Sequence, residues 1–117
     1  MSVFGIDYES VSGNPAKQTF EVNNAVHMHF DTLDSEDVNL GFQPSLLIVS
    51  YETYGSQRAN CWSAYDSGYF TRRVGTSAVD RLSVGQNATG SIKQITASGF
   101  KLMYYSDLQN IDVYAIK

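Results

Sequence analysis

The stretch Gly41–Tyr54, GFQPSLLIVSYETY, constrains the fold more than any other part of the chain. Pro44 fixes its own φ and holds Gln43 extended, so the backbone enters the segment after it in a strand-like state. Leu46-Leu47-Ile48-Val49 is the densest apolar run in the sequence, and from Ser50 it opens into mixed positions. That is the pattern of a strand crossing a core and leaving it. The fold is therefore expected to be a sheet built around this segment.

The rest of the chain fits a sheet protein. Phe20–Phe30 alternates: Phe20 and Val22 face one way, Val26, Met28 and Phe30 do so again, and His27 and His29 lie opposite. The Asn23-Asn24 step reads as a bulge or as polar positions within one strand. Asp31–Asn39 is an acidic turn region, and Gly55-Ser56-Gln57 a turn. Ala59–Tyr65 is a further strand, with Trp62 in the core or at its rim. Tyr69–Val74 and Arg81–Val84 are shorter candidates. Ile92–Ile95 and Phe100–Tyr105 form a hairpin through Thr96–Gly99, and Ile111–Ile116 closes the chain. Met1–Lys17 reads either as a short edge strand and loop or as an arm ordered against another subunit.

Strands recurring at intervals of roughly 8–15 residues favour a sandwich or compact barrel over an α/β fold. The expectation is an all-β, compact antiparallel β-sandwich, jelly-roll-like or a partly open barrel. Residues 1–19 would be an N-terminal arm or edge segment, and 20–117 the sandwich domain. At 117 residues the chain has the size of one domain.

Charge narrows the function. The eight Lys and Arg are scattered, with Arg72-Arg73 the only basic pair, and the net charge is −4. No phosphate-tracking surface follows from that, so nucleic acid is not an expected partner. The single cysteine, Cys61, excludes an intrachain disulfide and a cysteine-built metal site, and reads as a small buried hydrophobe. The opening MSVFGIDYES lacks the pattern of a signal peptide, and no apolar run approaches the ~20 residues of a membrane span. A cytoplasmic origin is expected.

Four groups of residues invite a chemical reading. His27 and His29 share one strand face at about 7 Å and would bind a metal if a third ligand arrived. Asp31, Asp34, Glu36 and Asp37 offer oxygens for calcium but lack the EF-hand order, and Asx turns with solvated charge explain them with less. Hence no cofactor is expected, with His27, His29, Asp34 and Asp37 the weak metal candidates. Catalysis lacks a motif. Glu52, Asp66, Asp80 and Asp107 are dispersed, and a glycosidase needs two carboxylates facing across a cleft. The chain is read as a non-enzyme. The aromatic residues say most. Tyr51, Tyr54, Trp62, Tyr65, Tyr69 and Tyr105, together with Phe70 and Tyr104, suit a protein–protein interface, and beside Asn, Asp and Gln they equally suit a sugar-binding surface. Asn87-Ala88-Thr89 fits a glycosylation sequon and reads more simply as a turn.

Three segments resemble small β-sandwich domains of tailed-bacteriophage and prophage virion structural proteins. Gly41-Phe42-Gln43-Pro44 leading into Ser45–Val49 is similar to their Gly-Phe-x-Pro strand opening. Ser91–Leu102 is similar to their Ile-x-x-Ile-Thr-x-x-Gly-Phe-x-Leu hairpin, and Val113–Ile116 to their closing strand. The matched positions are turn glycines and core residues, so they carry over a fold and no binding residue. The resemblance implies a virion component, as a head accessory or decoration protein or as part of a tail tip or fibre. It also implies a symmetric homo-oligomer, often a trimer, with other virion proteins as partners and host glycans as a possible ligand.

Overall fold

The computed structural model describes residues 2–3, 6–7, 16–22, 24–85, 90–103 and 108–117. Among them there is no helix, and every strand pairing is antiparallel. The strands are β1 (Ser2–Val3), β2 (Ile6–Asp7), β3 (Gln18–Val22), β4 (Ala25–Phe30), β5 (Asp37–Asn39) and β6 (Leu46–Thr53). They continue with β7 (Ser56–Ser63), β8 (Gly68–Arg73), β9 (Val79–Ser83), β10 (Ile92–Thr96), β11 (Gly99–Leu102) and β12 (Gln109–Ile116). Seven of them form one sheet in the order β3-β4-β12-β6-β7-β8-β9, and β10-β11-β5 form a second. The two pack as an antiparallel β-sandwich. Among the described residues, β1 and β2 form a separate two-stranded ribbon.

The expected central strand is central. β6 is bonded on one side to β12 and on the other to β7, and its burial alternates along its length. Leu47 and Val49 point inward and are fully buried. Register carries this pattern across the sheet. Val113 lies opposite both Met28 and Val49, and Ala115 opposite both Val26 and Leu47. The resulting apolar layer meets Val38, Ile92, Phe100 and Leu102 of the small sheet, while Leu33, Leu40 and Phe42 fill the space where the chain crosses between layers. Trp62 is buried in the same core, as its size suggested.

Close approach of backbones fixes one glycine. Gly99 starts β11 opposite Asn39, and a Cβ there would collide with the carbonyl oxygen of Val38. The two-residue turn Ala97-Ser98 joins β10 to β11, so the predicted hairpin forms with its glycine in the return strand.

Several expectations change. Phe20–Phe30 is a hairpin and not one strand: β3 and β4 pair with Val22 opposite Ala25. Reversal of the chain between Val22 and Ala25 puts Phe20 beside His27 on the outer face, not beside Val26 in the core. The turn after β6 is Tyr54-Gly55, so Ser56 and Gln57 already belong to β7, and Tyr65 falls in the next turn. The acidic region contributes β5, a short strand. Cys61 is exposed: on β7 it alternates with the buried Asn60 and Trp62 and faces outward. At the amino-terminal end, the edge strand of the large sheet begins at Gln18, and residues 8–15 of the expected arm lie outside the described residues.

Candidate functional site

Two surfaces of the large sheet gather the residues of interest, one on each face. On the outer face, one register row runs Phe20, His27, Tyr114, Ile48, Cys61, Phe70, Arg81 from edge to edge. The row beside it adds Val22, Ala25, Ile116 and Leu46. Phe20, Val22, Ile48, Tyr114 and Ile116 are all exposed, Phe20 at 67%. They frame a shallow, almost wholly apolar depression of about 260 Å³. Phe70 continues the row, with the Arg81 guanidinium 5.5 Å from its ring centre.

A polar cluster borders this patch. Asp112 Oδ1 accepts from His27 Nε2 at 2.9 Å and from His29 Nδ1 at 3.0 Å. His29 Nε2 meets Asp31 Oδ1 at 3.0 Å, and Lys17 Nζ reaches Asp31 Oδ2 at 2.7 Å. Carboxylates at both ring nitrogens of His29 require both to donate, which only the imidazolium does. The hydrogen bond to Asp112, and then that to Asp31, accordingly raises the His29 pKa above its ordinary value. Lys17, then His29, lowers that of Asp31. Partial burial pushes Asp112 upward, but its two histidine partners outweigh it and the net shift is downward. His27 stacks on Tyr114 with ring centres 4.2 Å apart.

Both histidines direct a ring nitrogen at Asp112 Oδ1. Among the described residues, no three His, Cys, Asp or Glu side chains are arranged to hold a metal. Glu36 and Asp37 are engaged by Lys93 and Lys101. The other carboxylates do not converge: Glu52 is on the outer face of β6, Asp80 has the inward parity of β9, and Asp66 lies in the β7–β8 turn at the other end of the sheet. Arg81 grips Asp66 with both guanidinium nitrogens and holds its pKa at about 2.

The second surface is on the inner face, where the large sheet extends beyond the small one. There the inward positions turn from apolar to polar. Along β7 they run from Trp62 to Asn60 to Arg58, and along β6 from Val49 to Tyr51 to Thr53. With Tyr54, Tyr69, Thr71, Leu82 and Ser91 they line a pocket of about 280 Å³. Asn60 and Tyr69 are 1% and 0% exposed, and the Asn60 amide donates Nδ2–H to the Gly90 carbonyl at 2.7 Å. Among the described residues, Asn60 Oδ1 and the Tyr69 hydroxyl have no hydrogen-bond partner. Ser91 and the Ile92 backbone lie near that hydroxyl and moderate its pKa, which burial raises, without completing a hydrogen bond. Burial likewise raises Tyr51, and the Asn60 side chain at its hydroxyl, then the Arg58 charge, moderate the rise. Gly90, at φ +78°, packs against the Tyr51 ring so closely that a Cβ would land on it.

Of the aromatic candidates, Tyr51, Tyr54 and Tyr69 therefore meet in one pocket. Trp62 is core, Tyr65 is alone in an exposed turn, and Tyr105 lies outside the described residues, as do Asp107 and the sequon at 87–89. Sequence reasoning missed Arg58 and Asn60 in the pocket and Phe20, Ile48 and Tyr114 on the outer face. Strand parity identifies Arg58 and Asn60 as one side of β7, but only the register with β6 and β8 shows which side is inward. Comparison of the chain with protein-family models, with curated proteins and with solved structures gave no match.

Proposed function

We propose that this chain is a non-enzymatic structural component of a bacteriophage virion that works by protein–protein contact, as a head accessory protein or a tail component. It assembles as a homo-oligomer through the outer face of the large sheet and meets other virion proteins through the surfaces left over. The observation that carries the assembly role is the contiguous exposed apolar patch around Ile48 and Tyr114. Exposed apolar surface of this kind, framed by polar side chains, marks interaction sites. Phe20 stands at the edge of the patch beside the depression, so two copies related by a twofold axis, or successive copies around a ring, can each seat this ring against the other. The likeness of Gly41–Val49 and Ser91–Leu102 to virion domains supports the phage context.

Light scattering coupled to size exclusion tests the assembly role. The expected result is an oligomer that Ile48→Glu reduces to a monomer with an unchanged circular dichroism spectrum. A wild-type monomer at the highest soluble concentration would overturn it.

A second reading, contact with carbohydrate, is favoured by a separate observation: three tyrosines and several buried polar side chains converge on the inner-face pocket. Glycan-array binding that survives Ile48→Glu and is lost on Tyr54→Asn is its expected signature.

A further inference from the structure

We infer that the inner-face pocket is a binding site for a single saccharide ring bearing a carboxylate, such as the terminal acidic sugar of a surface glycan. This rests on the carbohydrate reading and specifies its ligand.

The floor of the pocket is set for hydroxyl groups. The Asn60 amide is oriented by its bond to the Gly90 carbonyl, which leaves Oδ1 as a committed acceptor. The Tyr69 hydroxyl, a diagonal neighbour across β7 and β8, both donates and accepts. Each buried polar atom left without a partner costs about 1–3 kcal/mol, and native proteins carry few of them. Here two occur in one pocket among the described residues. An acceptor beside a donor–acceptor matches adjacent ring hydroxyls. Both atoms are closed off from solvent, so a ligand reaches them only when the side chains around them move.

The rim supplies a ring to stack on. Tyr54 and Gly55 form the turn between β6 and β7 with φ of +49° and +75°. Such two-residue turns favour Asn or Asp before Gly, because a bulky side chain is strained at positive φ. Tyrosine at this position presents an 86% exposed ring at the pocket mouth, and strain of this sort collects at functional sites.

The charge comes from Arg58. It lines the pocket and lies directly opposite Arg73 in the β7–β8 register. Like charges facing across a strand pair are destabilising. Among the described residues neither arginine forms a salt bridge, whereas Arg81 on the same sheet does. An anionic group on the ligand relieves that repulsion. The volume, about 280 Å³, falls just below the usual range for drug-sized ligands and suits one ring.

Titration of the ¹⁵N-labelled protein with glucuronate, glucose and acetate tests this. Glucuronate should shift the amides of Tyr54, Arg58, Asn60 and Ser91, with glucose at least about tenfold weaker and acetate without effect. Arg58→Gln should erase the preference for glucuronate while glucose binding persists, and Tyr54→Asn, which suits the turn, should weaken both sugars. Equal binding of glucose and glucuronate, indifferent to Arg58→Gln, overturns the acidic-sugar assignment and leaves the carbohydrate reading standing. Acetate shifting the same amides as strongly as glucuronate reduces the site to an anion site and overturns it. No response to either sugar overturns the assignment and the carbohydrate reading together.

Discussion

Tyr69 separates stability from function at the level of one side chain. Its hydroxyl is buried without a hydrogen-bond partner among the described residues, so Tyr69→Phe removes a desolvated polar atom and little packing. Thermal unfolding of Tyr69→Phe should show stability unchanged or raised by up to about 2 kcal/mol, while sugar-induced amide shifts weaken. Leu47→Ala, which truncates a fully buried side chain, should instead cost about 2–5 kcal/mol. His29 gives a pH signature. Its folded pKa is raised, so its contribution is fully present below the ordinary histidine value of 6.5 and is lost as pH rises through the higher folded value. The gap in melting temperature between wild type and His29→Gln should therefore be larger at pH 5.5 than at pH 8.5. An equal gap at both would show that Asp112 and Asp31 do not hold the imidazolium. The His29 contacts were not legible in the sequence: parity pairs His29 with His27, but Asp112 is 83 residues away and arrives only through the register of the last strand.

Among the elements, β12 holds the large sheet together. It is inserted between β4 and β6, so β3-β4 and β6-β7-β8-β9 meet only through it. Deleting residues 109–117 should leave a chain without cooperative thermal unfolding, and a folded truncation would refute the insertion. The far edge behaves differently in acid. Asp66 keeps its pKa at about 2 against an ordinary 3.8, so the stabilisation from its pair with Arg81 is complete above 3.8 and lost as pH falls through about 2. Hydrogen exchange should show the β8–β9 pairing of wild type better protected than that of Arg81→Gln at pH 4, and the difference fading toward pH 2. β6 was legible from the dense apolar run that follows Pro44, the β10–β11 hairpin from its short turn and glycine, and the inward side of β12 from the alternation of Ile111, Val113 and Ala115. The β3–β4 hairpin was not: Phe20 and Val22 extend the apolar parity of Val26 and Met28, and only the pairing of Val22 with Ala25 separates the faces. Cys61 misled for a related reason. It adjoins a buried tryptophan, but neighbours in a strand point to opposite sides.

At the level of the whole molecule, the sandwich is unequal. A seven-stranded layer faces a three-stranded one, leaving apolar surface on one side and a polar recess on the other. The asymmetry puts the two proposed roles on opposite faces, so they should separate: Ile48→Glu should disperse the oligomer and leave sugar binding intact, and Arg58→Gln should leave the oligomer intact and erase the preference for glucuronate. The outer face also carries a built-in reporter. Cys61 is the only thiol in the chain, and it sits in the same row as Ile48 and Tyr114 with its sulfur open to reagent. Its alkylation rate by a maleimide therefore measures, without any engineered label, whether that row is covered: slow in the assembled wild type, fast once Ile48→Glu has freed the subunits.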